Sequence, residues 1–296
     1  MFGFLNVYKP SGMTSFDVVS VLRKITGIKQ IGHAGTLDPF ATGVLPVCIG
    51  KSTRLIEYLP DDKEYIATIK FGSDTDTYDL EGQIIKTYNK MVTEDEFNLV
   101  LKDFDGEIEQ VPPKYSAIKV NGKKLYDYAR NGEEISIKPR LVKIYKAKLL
   151  DFCYQNQAAK ILISCSKGTY IRSIAYDIGQ KLNCGGHLIA LERTKAGMFA
   201  MDKAVKLEDI KYLSDIRNNL INPIDVLPQE KYELNEDEKD RVIHGMPVKY
   251  SNNSSTVQLS SHSAKDIVFL LYSGRIMAVG IRNDNEIKIK KVFEVL

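Results

Sequence analysis

Apolar residues along the chain recur at two spacings, and each spacing marks an element. Val18, Val21, Leu22 and Ile25 fall at the three- and four-residue steps of a helix face. Thr14 and Asp17 form a capping box ahead of that face, and Gly27 stands where a helix-ending glycine belongs. Thr93 and Glu96 repeat the device before Phe97, Val100, Leu101 and Phe104, with Gly106 closing the helix. Between the two helices the step drops to two. Tyr65, Ala67, Ile69 and Phe71 share one face of 64–71, which predicts a strand with one buried side. Residues 160–166 predict another strand through Ile161, Leu162 and Ile163, and Gly168 breaks it. Ile171, Ile174, Ala175, Ile178 and Leu182 then make a helical stripe. Polar groups at that strand–turn–helix corner are well placed for a site. Asn222-Pro223 and Pro228 mark a shift in composition. Beyond them come a short helix ending at His244-Gly245 and alternating runs at 267–272 and 287–292, the pattern of a small β-rich module.

Composition narrows the class. The 296 residues are 44% hydrophobic and 27% charged, enough to bury a core without staples. No apolar run approaches the roughly 20 residues of a membrane span. The first residues carry no basic stretch or cleavage site, so secretion is not expected and a cytoplasmic location is. Cys48, Cys153, Cys165 and Cys184 show no C-x-x-C spacing, so neither a zinc site nor a disulfide framework is expected. The net charge is only +3. The segment 114–148, however, holds ten Lys or Arg against Asp127, Glu133 and Glu134. That concentration suits either a polyanion partner or a solvated basic face.

The stretch Gly32-His33-Ala34-Gly35-Thr36-Leu37-Asp38-Pro39-Phe40-Ala41-Thr42-Gly43-Val44-Leu45-Pro46 is too rich in glycine and proline for a regular helix or a central strand. It reads as a structured loop presenting His33, Asp38, Thr36 and Thr42. On local chemistry alone, Asp38 before Pro39 is equally a turn starter.

That stretch closely resembles the catalytic motif of the TruB-type tRNA pseudouridine synthases. Four further signatures resemble the family in register: Lys9-Pro10-Ser11-Gly12-Met13-Thr14-Ser15, Lys63-Glu64-Tyr65, Thr75-Asp76-Thr77 with Asp79, and Val111-Pro112-Pro113-Lys114-Tyr115-Ser116-Ala117. Ser166-Lys167-Gly168-Thr169-Tyr170-Ile171-Arg172-Ser173 adds another, so the likeness runs through nearly the whole chain. The resemblance implies that Asp38 is the catalytic nucleophile. It sets Arg172 beside Asp38, to draw the carboxyl pKa down against the effect of burial. It makes Tyr65 and Tyr170 the walls against which a flipped uracil stacks, and Leu191 a pocket-lining residue. It places His33 where the target base leaves its stack. It makes 114–140 an insertion folding over the tRNA stem-loop, with Lys123, Lys124 and Arg130 on phosphates.

The implied reaction is isomerisation of uridine 55 in the T-loop of tRNA, without cofactor or metal. The implied fold is α+β. A catalytic domain over 1–230 has a mixed, mostly antiparallel sheet with flanking helices. A small PUA-like domain covers 231–296, whose ten bases and nine acids do not by themselves mark an RNA binder. Three rivals stand beside this reading. Asp74-Thr75-Asp76 is a DxD pattern found in metal-dependent transferases. A non-catalytic tRNA-binding protein of the same fold would not need Asp38 with Arg172. A same-fold synthase acting on another RNA would keep them both.

Overall fold

Helix Ser15–Thr26 begins where the capping box sets it: Thr14 and Asp17 exchange side-chain-to-backbone hydrogen bonds, and Gly27 ends the helix at φ 71. The second box also forms, at Thr93 and Glu96, and opens helix Glu94–Leu101. Gly106 does not close that helix as expected. A 3-10 turn, Lys102–Phe104, intervenes, and Gly106 opens the strand Gly106–Gln110. Phe104 still reaches the core because the tighter turn keeps it on the apolar side.

The computed structural model describes residues 1–120, 122–133, 135–249, 266–283 and 285–293. Its main sheet runs in the order Val205–Lys206, Gly3–Lys9, Thr42–Ile49, Gly186–Ala196, Lys63–Phe71, Ala158–Cys165, Arg140–Cys153 and Gly106–Gln110. Two short strands, Ile31–His33 and Phe199–Ala200, extend it to ten. Pairing is antiparallel except between Gly3–Lys9 and Val205–Lys206 and between Gly186–Ala196 and Thr42–Ile49. In the strand Lys63–Phe71, Tyr65, Ala67, Ile69 and Phe71 are buried, as the two-residue spacing predicts. They join one core with Val18, Val19 and Leu22 of the first helix and Ile174 and Ile178 of helix Ile171–Lys181. Each fully buried Leu, Ile or Phe contributes about 1.5–3 kcal/mol, so this core outweighs any single polar contact described below.

The stretch 32–46 is not a loop throughout, as its glycines and prolines suggest: its ends belong to strands Ile31–His33 and Thr42–Ile49, and the latter is paired on both sides, antiparallel to Gly3–Lys9 and parallel to Gly186–Ala196. Glu192 lies opposite Thr42 and Arg193 opposite Gly43. Gly43 has φ 104, and a Cβ there would sit 2.3 Å from the Arg193 carbonyl oxygen. Only glycine lets the two backbones come this close.

A second sheet has five strands in the order Glu230–Glu233, Ile267–Tyr272, Arg275–Arg282, Glu286–Val292 and Val248–Lys249, with helix Glu236–Ile243 against it. Its inner side shares a core cluster with the first sheet: Phe269, Val279 and Phe293 pack with Phe4, Val44, Leu55 and Tyr58. Tyr58 meets Phe269 edge-on at 5.5 Å, and Gln229 Nε2 donates to the Tyr58 carbonyl at 2.7 Å. Among the described residues no helix is long and apolar enough to cross a membrane.

Candidate active site

The polar residues of the opening signature turn out to be fastenings for the loop that carries Asp38. Lys9 Nζ is fully buried and donates to the carbonyls of Pro10, Met13 and Pro39 at 2.7–3.1 Å. Ser11 Oγ donates to Phe40 O, and the Gly12 amide to Pro39 O. Ser15 Oγ donates to Leu37 O at 3.1 Å and accepts from the Leu37 amide at 2.8 Å. Burial pushes the Lys9 amine down to about 8, since a cation loses its hydration there.

From the opposite side the loop is held by Arg193. This fully buried guanidinium donates to Val44 O at 2.7 Å, Gly35 O at 3.0 Å and Thr36 O at 3.3 Å. Its planar fork holds these donors at fixed angles, so the three carbonyls it ties are fixed in direction as well as distance.

Asp38 thus sits on a loop fixed at both ends. Its carboxylate faces Arg172, with Nε 3.0 Å from Oδ2 and Nη2 donating to Oδ1 at 3.1 Å. Arg172 lies on the first turn of helix Ile171–Lys181 and its side chain is only 7% exposed. It also pairs with Asp79 at 3.3 Å and donates to Thr77 O at 3.2 Å and Tyr115 O at 3.1 Å. The arginine therefore gathers three sequence signatures around one guanidinium. A solvated position on the helix opposite the apolar stripe, the alternative its spacing allowed, is not what it occupies.

The electrostatics of Asp38 differ from the expectation. Burial raises its carboxyl pKa above the ordinary value. Arg172 pulls it down and the nearby Asp79 pushes it up again, so the guanidinium offsets desolvation only in part.

Asp38 lines a cavity of about 540 Å³ together with Tyr65, Tyr170, Leu191 and Arg172. Tyr170 is set in place by Gln110, whose side-chain amide bonds both its N–H and its carbonyl at 2.8 and 3.0 Å. Burial raises the phenol pKa of Tyr65 and of Tyr170, so both rings stay neutral and apolar in character. Ser116 and Tyr126 line the same cavity. Two flat rings, an aliphatic wall and one carboxylate suit a planar base held against a nucleophile.

The remaining expected residues lie apart. His33 is the last residue of strand Ile31–His33 and does not line the cavity. Burial and the Arg193 cation push its imidazole pKa down, leaving it neutral at pH 7. Lys123 pairs with Glu133 at 2.5 Å and lies over the Tyr128 ring. Lys124 Nζ donates to the Tyr126 hydroxyl at 2.9 Å, and Arg130 lies 5.4 Å from the centre of that ring. The basic segment thus reaches the cavity through Tyr126, which sequence reasoning did not single out.

Several other working parts were hidden in the sequence. Lys9 and Asp79 lie inside the family signatures quoted above and Arg193 outside them, and nothing in residue type separates a fastening from a surface charge. Tyr78 was less visible still. It holds φ 65, uncommon for a non-glycine residue, and stacks on Tyr176 at 4.1 Å. The strained turn lies between Thr77 and Asp79, both partners of Arg172, while Tyr176 is one turn along the helix from Arg172. The DxD rival fails on use: Asp74 is buried and accepts from Tyr88, Gln180 and the Gly186 amide, so its carboxylate is a structural bracket.

Comparison with known proteins agrees with this geometry. A family profile described as TruB family pseudouridylate synthase (N terminal domain) matches residues 23–171. A second, the tRNA pseudouridylate synthase B C-terminal domain, matches 172–227. A protein named tRNA pseudouridine synthase B from Clostridium novyi (strain NT) is 42% identical, with 99% of each chain covered. One of the same name from Clostridium tetani is 40% identical, again with 99% of each covered. Among solved structures, a Cbf5–Nop10–Gar1 complex aligns at TM-score 0.73 and 27% identity, over 99% of this chain and 84% of that one. An H/ACA RNP bound to a substrate RNA containing 2′-deoxyuridine aligns at 0.72 and 25%, over 99% and 86%. With profile matches that abut at the helix carrying Arg172 and relatives that span its whole length, the chain belongs to the TruB family of pseudouridylate synthases.

Proposed function

We propose that this chain converts uridine 55 in the T-loop of tRNA to pseudouridine, with Asp38 as nucleophile. The observation that carries the reading is the single cavity in which Asp38, its partner Arg172, Tyr65, Tyr170 and Leu191 meet. The reaction breaks the C1′–N1 bond of the nucleoside and forms C1′–C5. The C5 proton leaves and N1 gains one, so atoms and electrons balance within the substrate. No oxidant or reductant is called for.

Each residue has a part. The target base leaves its stack and enters between Tyr65 and Tyr170, an unstacking cost of a few kcal/mol that the cavity walls offset. Arg172 keeps the buried carboxylate available as an anion and fixes its direction. Asp38 attacks the nucleoside as the base detaches, the freed uracil turns within a cavity large enough to let it rotate, and the bond to Asp38 breaks again as the product forms, returning the carboxylate. His33 guards the place where the base leaves the stack, at the edge of the same loop. Lys123, Lys124 and Arg130 contact phosphates of the stem-loop.

Residues 1–230 form the catalytic unit, with 114–140 as its RNA-covering insertion, and 231–296 a PUA-like RNA-binding unit. A cytoplasmic site of action follows from the tRNA substrate.

Tritium placed at uracil C5 of unmodified tRNA tests the reading directly. Wild-type protein is expected to release label to water, and Asp38→Asn to release none while still binding tRNA. Equal release by both proteins removes Asp38 from the chemistry. Release from ribosomal RNA but not from tRNA transfers the function to the other-substrate reading.

A further inference from the structure

The cavity around Asp38 adjoins a second, smaller one of about 160 Å³. The two share Gly35, Lys63 and Lys167, and the smaller is further lined by Asp61, Pro60 and Phe199. Lys63 opens the strand that carries Tyr65, two residues on. Lys167 comes from the turn before Tyr170 and Arg172. Two ammonium groups from separate elements therefore converge on one rim of the reaction cavity.

Asp61 joins them. Its carboxylate pairs with Lys167 Nζ at 2.7 Å, and its backbone carbonyl accepts from Lys63 Nζ at 2.9 Å. Lys63 is the uneasy member. Burial and the adjacent Arg193 cation both lower its pKa, and a carbonyl gives it less relief than an anion would. Lys167 is 75% exposed, so its ion pair with Asp61 costs little to break. This is a cationic rim whose present anion is an exposed side chain of the protein itself.

A uridine placed with C1′ against Asp38 carries a phosphodiester on either side of its ribose, and Lys63 and Lys167 line the cavity it occupies. We propose that Lys63 and Lys167 clamp a backbone phosphate flanking the target uridine, and that Asp61 holds the phosphate's place in the free protein. The inference rests on the reading that an RNA uridine reacts at Asp38. A phosphate entering the clamp displaces the Asp61 carboxylate from Lys167 and gives Lys63 a directly bonded anion in place of the Asp61 carbonyl. RNA binding and preparation of the site are thereby coupled at the cavity mouth. The clamp is separate from the stem-loop phosphate contacts of the segment 114–140, whose Lys123, Lys124 and Arg130 do not line the cavity.

The test is the salt dependence of tRNA affinity, measured with unmodified tRNA in an Asp38→Asn background. Each lysine lost from a phosphate contact flattens the plot of log affinity against log salt by about 0.7–0.9. Lys167→Ala and Lys63→Met are each expected to do so, with affinity falling roughly threefold at about 0.15 M salt. Asp61→Asn is expected to act in the opposite sense and tighten binding by about threefold, because it removes the competing anion. If Asp61→Asn weakens binding along with the lysine variants, the three residues are only a structural pair and the proposal is overturned. Unchanged slopes in both lysine variants overturn it as well. A urea melt of each variant guards against misfolding. Inorganic phosphate at about 10 mM and matched ionic strength separates the sources of the anion. No change in tRNA affinity supports a polymer phosphate, whereas direct competition assigns the site to free phosphate and overturns the clamp. Label release from tRNA is scored separately: its failure removes the functional reading and leaves the slopes readable, while flat slopes with release intact remove only the clamp.

Discussion

Beneath the Asp38 cavity, Lys9 and Arg193 are fully buried and donate to backbone carbonyls, whereas in the segment 114–140 Lys123 and Lys124 are half-buried and Arg130 is exposed. The buried cations have no carboxylate in hydrogen-bond contact among the described residues; six carbonyls serve instead. The outer cations lean on Tyr126, Tyr128 and Glu133. Desolvating a cation is expensive, so a buried one persists only when its donors are used, and its partners are then fixed in space. An exposed cation costs little and fixes little, but it stays free to exchange a ring or a glutamate for a phosphate. Position is the product of the first group and contact the product of the second. Arg172 lies between these extremes, buried yet open to the cavity through Asp38.

That contrast breaks if the two groups of cations prove interchangeable. The largest effect is expected at Arg172. Arg172→Gln leaves Asp38 and Asp79 facing each other without a cation, and turnover should fall by roughly 10²–10³, with tRNA affinity changed far less. Single-turnover label release against filter binding measures both; parallel losses would make Arg172 an RNA contact. Next comes Arg193→Met, which orphans three carbonyls of the loop. A loss of about 3 kcal/mol in unfolding free energy is expected from urea melts, against under about 0.5 kcal/mol for Lys123→Ala. Similar losses at the two positions would erase the distinction between fastening and contact.

A smaller effect is a shift in pH dependence. The Asp38 carboxyl pKa is raised, so the active anion is lost as pH falls through a value above the ordinary carboxylate range. Asp79 contributes to that rise. Asp79→Asn should therefore move the acidic limb of the rate profile to lower pH, and a shift to higher pH would show that Asp79 acts chiefly by holding Arg172. The smallest effect is expected at Lys124→Ala. Affinity should fall roughly threefold and the salt slope flatten by about one contact, with turnover at saturating tRNA unchanged. A drop in saturated turnover would place Lys124 in the positioning group.

Both capping boxes, the two-residue alternation at 65–71 and the helical stripe from Ile171 were legible because they are local: each compares residues a few positions apart. Tyr65, Tyr170, Leu191, Asp38 and Arg172 were legible by family likeness, and the fold does bring them to one cavity. His33 was expected near them and lies outside the lining, on the short strand that pairs with Thr42–Ile49. Arg193 and Lys9 were invisible in their role, since a lysine or arginine code says nothing about whether solvent or carbonyls will surround it. Tyr78 was invisible for a different reason: its left-handed backbone is held by bonds to Thr75 and Leu188 and by a stack on Tyr176, from a helix nearly a hundred positions away.

The sequence by itself determined the two capped helices, the strands through 65–71 and 161–163, the helical stripe from Ile171 and the turn at Asp38-Pro39, because propensity, capping and glycine geometry act over a handful of residues. It did not determine Thr42–Ile49, whose place inside the sheet comes from partners far along the chain. Only the tertiary structure decided how that carboxylate behaves. Its charge depends on Arg172, Asp79 and the depth of the cavity, which come from segments 41 and 134 positions from Asp38. Desolvation and Coulomb energy are set by distance in space, and a linear sequence does not contain that distance until the sheet has closed around it.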